Sequence, residues 1–195
     1  MKRLVDLFFS VPALIILSPL FILIAIWIKT DDPGPLFYRQ ARVGLKGKDF
    51  RIYKFRTMRT GSDKAGLITI GSRDPRVTHS GYLLRKYKLD ELPQLLNVLG
   101  GSMSLVGPRP EVRKYVDLYT AEQMRVLDVK PGITDYASIE YSNESELLAR
   151  AADPDKEYIE TIMPAKLELN LKYIREKSLF TDLTIILKTI RKVFL

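Results

Sequence analysis

From Leu7 to Ile28 the chain carries no charge and is apolar on every face, a run that as a straight helix would reach about 33 Å and could cross a bilayer. Its flanks argue against crossing. Lys2 and Arg3 precede it and Lys29, Arg39, Arg42, Lys46 and Lys48 follow it, so the positive-inside rule assigns both ends to the cytoplasm. Ser18-Pro19 falls near the middle, where the missing N–H and the ring clash bend a helix. The expectation is a re-entrant hairpin of two arms of roughly 15 to 18 Å, kinked at Ser18 and Pro19 and embedded in one leaflet. Pro12 adds a second bend or sits in the first turns. Spanning helices tolerate proline, so a single-pass anchor is the competing reading. A signal peptide fits less well, because the run exceeds an h-region and no small-x-small site precedes Lys29.

Beyond the turn Thr30-Asp31-Asp32-Pro33-Gly34-Pro35, the pattern shortens. Residues 36–40 and 50–56 alternate aromatic with basic side chains and predict a strand pair around Gly44 to Lys48. Residues 61–76 are polar and read as a surface loop. In Leu89-Asp90-Glu91-Leu92-Pro93-Gln94-Leu95, proline belongs to a first helical turn, and the helix runs through Val98 and Leu99 until Gly100-Gly101 stops it. Gly107-Pro108-Arg109-Pro110 is a stiff turn after residues 102–106, and Lys130-Pro131-Gly132-Ile133-Thr134 sets another cation beside a rigid turn. Residues 111–129 and 155–176 have helical periodicity, separated by an acid-rich polar stretch. The segment 179–195 puts Leu179, Phe180, Leu183, Ile186, Leu187, Ile190 and Val193/Phe194 on one side and Lys188, Arg191 and Lys192 on another. That is the stripe of an interfacial helix or of one docked on a core.

The fold class is therefore α+β: a membrane hairpin over residues 1–30, then a small, mostly helical cytoplasmic domain over 31–195 with a short β-hairpin and interfacial amphipathic helices. At 195 residues, 46% hydrophobic and 28% charged, that domain has enough chain for one core. The absence of cysteine and the single His79 exclude disulfides, thiolate metal sites, a His-based zinc cluster and a Ser-His-Asp triad. Catalysis must use carboxylates, basic groups or hydroxyls. The net charge of +8 calls for an anionic partner: nucleic acid, a phosphorylated substrate or an acidic lipid surface.

Asp90 and Glu91 lie at or just before a helix start, where free N–H groups and the macrodipole favour anions. A carboxylate kept ionised there could attack phosphorus or bind a divalent metal. Adjacent helical residues point about 100° apart, which favours two roles over a shared proton. Acids in a first turn are also ordinary helix caps. Arg109 on its stiff turn has the geometry to grip a phosphate with both arms of its guanidinium, and the same turn can be purely structural.

Five stretches in order, Lys2-Arg3 with Ser18-Pro19, Tyr53-Lys54-Phe55-Arg56-Thr57-Met58, Leu89-Asp90-Glu91-Leu92-Pro93-Gln94, Ser104-Leu105-Val106-Gly107-Pro108-Arg109-Pro110 and Lys130-Pro131-Gly132-Ile133-Thr134, resemble the bacterial sugar transferase family. More narrowly, the chain is similar to the small monotopic phosphoglycosyl transferases. The resemblance implies transfer of a sugar 1-phosphate from a UDP-sugar to polyprenol phosphate at the cytoplasmic face of the bacterial inner membrane, with release of UMP. It implies Asp90 as nucleophile, through a covalent phosphosugar intermediate, and Mg²⁺ held by Glu91 with Asp90. Arg85, Arg109 and Lys130 are the candidates to neutralise the pyrophosphate, and Lys54, Arg56 and Pro108 join them as substrate-binding residues. Membrane lipids are expected partners and nucleic acid is not; a homodimer is compatible with the pattern. Many members continue Pro-Gly-Ile-Thr with Gly-x-Ala-Gln, whereas Asp135-Tyr136-Ala137-Ser138 follow here. The alternative is a non-catalytic, membrane-anchored basic module that docks on anionic lipid or nucleic acid through Arg39, Arg42, Lys54 and Arg56.

Overall fold

A computed structural model describes residues 2–62 and 74–194. Residues 63–73 of the expected loop, and the side chains of Val193 and Phe194, lie outside the described residues. The apolar run forms one helix, α1 (Lys2–Asp31), which contains Pro12 and Pro19. It is continuous, where two arms joined by a break at Ser18-Pro19 were expected; Ser18 Oγ donates to Ile15 O at 2.8 Å one turn back. Both ends of α1 hold the same body. Near the start, Arg3 donates to the carbonyls of Val98 and Leu99, and the Asp6 carboxylate accepts from Ser104 Oγ (2.9 Å) and Leu105 N (3.0 Å). Near the end, Ile24 and Ile28 pack with Phe55 and Leu84. No residue from Val11 to Leu23 is buried.

The strand pair is β1 (Phe37–Val43) with β2 (Asp49–Phe55), antiparallel in the register Phe37↔Phe55, Gln40↔Ile52 and Val43↔Asp49. Then come α2 (His79–Lys86), a 3₁₀ turn at Leu89–Glu91 and α3 (Gln94–Gly100). Pro93 stands at the N-cap of α3, and Gly101 ends it with φ 83°, a left-handed value that favours glycine. Asn97 pins α3 to β2 by accepting from Tyr53 N (2.9 Å) and donating to Arg51 O (2.8 Å).

A second, two-stranded sheet is parallel: β3 (Ser104–Val106) beside β4 (Gly132–Thr134). Its backbones touch where a Cβ on Gly132 would fall 2.1 Å from Gly107 N and one on Gly107 would fall 2.4 Å from Lys130 O. Glycine is required at both places for steric reasons. The helix expected over 111–129 is instead a single turn, α4 (Arg113–Val116), and a 3₁₀ segment at Gln123–Asp128. Thr120 and Gln123 explain the restart: Thr120 N donates to Gln123 Oε1 at 2.9 Å and Gln123 N to Thr120 Oγ1 at 3.3 Å, a reciprocal cap.

The acid-rich stretch folds into α5 (Tyr136–Glu140) and α6 (Glu144–Arg150). Helix α7 (Pro154–Glu157) leads through a π turn at Tyr158–Ile162 into α8 (Met163–Glu176). The widened turn falls where Pro164 withdraws an N–H from the ladder. Tyr115, Val126, Leu148, Tyr158, Met163 and Leu167 make the main core of this half. Helix α9 (Leu179–Phe194) is docked and open at once. Ile185 is fully buried with Val106 and Tyr173, while Leu179, Phe180, Leu187 and Ile190 remain exposed.

Candidate active site

The acid pair is presented by a reversal between α2 and α3. Lys88 takes a left-handed conformation (φ 55°, ψ 19°), which turns the chain into the 3₁₀ segment that carries Asp90 and Glu91. Asp90 is 8% exposed. Its carboxylate accepts no hydrogen bond from the described residues. Glu91 is the opposite. Lys54 Nζ on β2 meets its Oε1 at 2.7 Å, and Arg109 brings Nη1 to Oε2 at 3.0 Å and Nη2 to Oε1.

Arg109 is held by its backbone. Gly107 N donates to Thr134 O (3.1 Å), Gly132 N to Pro108 O (3.0 Å), and Arg109 N to Asp135 Oδ2 (2.9 Å). The other oxygen of Asp135 caps α5 by accepting from Ser138 N at 2.6 Å. The two Pro-Gly-rich stretches thus form one joint, with fully buried Asp135 as its fastener. Pattern reading missed Asp135. Its signal was an acid two residues before the small pair Ala137-Ser138, which is a helix N-cap spacing.

Electrostatics separate the two acids. Burial pushes the Asp90 carboxyl above its ordinary value and the Glu91 charge adds to that, against Lys54, Arg85 and Lys88. Glu91 is drawn well below the carboxylate range: burial alone would raise it, and Arg109 and then Lys54 overcome it. Burial pulls the Lys54 ammonium down, and Glu91 opposes it. Helix-terminal N–H groups were expected to hold both acids ionised; paired cations do this for Glu91, and burial works against it for Asp90.

Asp90 opens into a cavity of about 1140 Å³. Arg85, Lys54, Arg56 and Arg109 lie on its wall, with Lys86 and Lys88. Arg56 is nonetheless spent on structure, donating to Asp32 Oδ2 (2.6 Å), Asp32 O and Thr60 Oγ1 (2.8 Å) where α1 ends. Two expected site residues stay outside. Pro108 lines a separate small crevice with Val43 and Val126, because its carbonyl is turned to Gly132. Lys130 is not on the cavity wall, although Ile133 and Thr134 of β4 are; its ammonium lies beside Gly101 and the Arg3 guanidinium.

The basic face of the β-hairpin is largely neutralised. Arg42 pairs with Glu111 (2.9 Å), Lys54 with Glu91 and Arg56 with Asp32, while Arg39 lies over the Tyr53 ring at 4.7 Å. A free cationic surface for nucleic acid is not what these four residues make. Among the described residues no group of three or more His, Cys, Asp or Glu is placed to hold a metal. A magnesium ion does not require one, since it takes one or two carboxylates and completes its shell with substrate phosphates and water.

The site thus combines a buried carboxylate with several cations on one cavity wall, and a long apolar helix lies beside it. The chain belongs to the bacterial sugar transferase family, whose model matches residues 1–195. It is 41% identical to a UDP-N-acetylgalactosamine-undecaprenyl-phosphate N-acetylgalactosaminephosphotransferase of Aeromonas hydrophila, over 98% of this chain and 43% of that protein. It is 40% identical to the uncharacterized sugar transferase EpsL of Bacillus subtilis, over 99% of this chain and 87% of that one. A UDP-glucose:undecaprenyl-phosphate glucose-1-phosphate transferase of Escherichia coli is 37% identical, over 100% of this chain and 40% of its own length. The chain thus spans about two-fifths of two of these relatives and most of the third.

Proposed function

We propose that this protein transfers a sugar 1-phosphate from a UDP-sugar to a polyprenol phosphate at the cytoplasmic face of the bacterial inner membrane. The observation that carries it is the asymmetry of the acid pair. Asp90 is buried at the cavity wall and accepts no hydrogen bond from the described residues, beside a Glu91 whose two oxygens are gripped by Arg109 and Lys54. An unengaged carboxylate is available as a nucleophile, and a clamped one keeps its charge and place.

In the first step an Asp90 oxygen bonds to the sugar-bearing phosphorus and the bond to the UMP oxygen breaks, so UMP leaves with that electron pair. In the second, a phosphate oxygen of the acceptor attacks the same phosphorus, forming the diphosphate link and returning the electron pair to the Asp90 carboxylate. No proton needs to move in either step. Arg85 and Lys88 offset negative charge at Asp90, and Arg109 presents a partly exposed guanidinium to the donor. Asp90 and Glu91 would hold Mg²⁺, which when bound neutralises the donor pyrophosphate.

The anchor fits a re-entrant reading. Both ends of α1 grip the catalytic body while the stretch from Val11 to Leu23, around Ser18-Pro19, has no buried residue. A helix that bends there without breaking would dip its middle into one leaflet and keep both ends on one side. The exposed apolar residues of α9 support an interfacial placement beside it.

The test is UMP release from a panel of UDP-sugars, with polyprenol phosphate and Mg²⁺ present or chelated. Wild type should release UMP with at least one donor, lose it on chelation, and lose it by about a thousandfold or more in Asp90→Asn. Undiminished release by Asp90→Asn removes the nucleophile, and no release by wild type with any donor removes the transferase reading.

A further inference from the structure

At about 1140 Å³ the cavity that holds Asp90 lies just above the upper end of single-ligand pockets, roughly 1,000 Å³. Its wall is also of two kinds. Around Asp90 it is cationic, whereas another part is made by Phe9 and Ala13 of α1 and by Leu183, Ile186 and Ile190 of α9, beside Thr189 and Lys192 of the same helix. Phe9, Leu183 and Ile190 remain 44%, 37% and 51% exposed, so this apolar wall is left open. A nucleotide sugar has phosphates, hydroxyls and a polar base, and nothing on these five side chains can receive them.

The wall is preformed. Tyr173 OH and Lys2 Nζ both reach Asp182 in the first turn of α9, Ile185 is fully buried, and Thr189 Oγ1 lies 2.6 Å from Thr134 Oγ1 on β4. These ties leave Leu183, Ile186 and Ile190 facing the cavity. Phe9 and Ala13 lie one turn apart on α1, at the start of the stretch with no buried residue, so the wall continues into that part of the helix.

We propose that the wall formed by Phe9, Ala13, Leu183, Ile186 and Ile190 seats the first isoprene units of a prenyl phosphate, whose phosphate then lies toward Asp90. The inference rests on the transferase reading above and adds the place of its lipid. The occupant follows from continuity: one end of the space opens on a nucleophile among cations and the other on a helix read as embedded in a leaflet. A molecule with an anionic head and an apolar chain matches both ends. The passage admits the acceptor from the membrane side while the donor enters from water, so the two substrates need not pass each other.

Two measurements on the full chain in nanodiscs test this. A polyprenol phosphate carrying a diazirine on its second isoprene unit should label residues 9–13 and 183–190, and unlabelled polyprenol phosphate should compete while phosphatidylglycerol at equal concentration should not. Labelling confined to residues 15–23, or equal competition by phosphatidylglycerol, assigns the wall to bulk lipid and overturns the proposal. In turnover, Ala13→Trp and Ile190→Asn should raise the ratio of KM for a long-chain acceptor to KM for a two-isoprene acceptor about tenfold, the loss of roughly two buried methylene groups. A ratio within about twofold of wild type, with both variants folded by their thermal transitions, also overturns it. Absence of UMP release by wild type would defeat the transferase reading instead, and the labelling would still decide whether the wall takes a prenyl phosphate.

Discussion

Replacing Arg109 by methionine tests the clamp on Glu91 directly. Three hydrogen bonds reach the Glu91 carboxylate, two from Arg109 and one from Lys54 at 2.7 Å, so the substitution removes two of them. Truncating one partner of a fully buried ion pair costs about 3–5 kcal/mol. Here the Arg109 side chain is 31% exposed and Lys54 remains in place, so water and the ammonium recover part of it, and about 2 kcal/mol is expected. For a domain of this size that lowers Tm by about 4–8 °C. The pH dependence carries a sign. Glu91 titrates well below its ordinary 4.5 in the folded protein, so its contribution is complete above that ordinary value and is lost as pH falls through the lowered one. Without Arg109 its carboxyl moves up, and the Tm gap between wild type and Arg109→Met should be widest at neutral pH and close toward acid. Thermal unfolding in detergent between pH 7 and pH 3 measures both. A Tm within about 1 °C of wild type, or a gap that does not narrow on acidification, refutes the clamp.

Lys54→Met removes the first of the cations that oppose the raised Asp90 carboxyl, so the acid limb of the UMP-release rate should move to higher pH; no shift, or one downward, contradicts the charge balance drawn for the pair. Asp135→Ala leaves the Arg109 and Ser138 amides without their acceptor in a fully buried place and should cost about 2–4 kcal/mol in denaturant unfolding, with Asp135→Asn recovering part; a loss under about 0.5 kcal/mol would show the joint to be held elsewhere. Because the chain has no cysteine, single cysteines at Lys2 and Lys46 can report sidedness to an impermeant maleimide. Both should label from the cytoplasmic side, and Ser18-Pro19→Ala-Ala should move one of them across; opposite sides in the unaltered protein would end the re-entrant reading.

The elements best read from the chain were those whose causes are local. Pro93 and Gly101 bound α3 because one lacks an N–H and the other tolerates positive φ, and the alternating residues of β1 and β2 pair around a short turn. The helix expected over 111–129 failed for an equally local reason, the Thr120–Gln123 cap, hidden because apolar periodicity runs on across it. What stayed illegible depends on long-range placement. That Arg109 meets Glu91 while Lys130 stays off a cavity wall that Ile133 and Thr134 of the same stretch help to line is set by tertiary packing. The chain suggested two roles for Asp90 and Glu91, but that Glu91 is the clamped one depends on its neighbours from β2 and the Arg109 turn. Arg56, read as a substrate cation, is the residue that fastens the end of α1.

The contact between Lys2 and Asp182 joins positions 180 residues apart in the chain. During synthesis at about 5–20 residues per second, α1 would emerge roughly ten to forty seconds before the helix that meets its first turn. For that interval the contacts of α1 with Phe55, Leu84, Val98 and Ser104 can already form, but the α9 side of the wall beside Asp90 is missing. Assembly therefore follows the chain: α1 is seated first on the elements that come soon after it, and the cavity beside Asp90 gains its last wall only when α9 arrives.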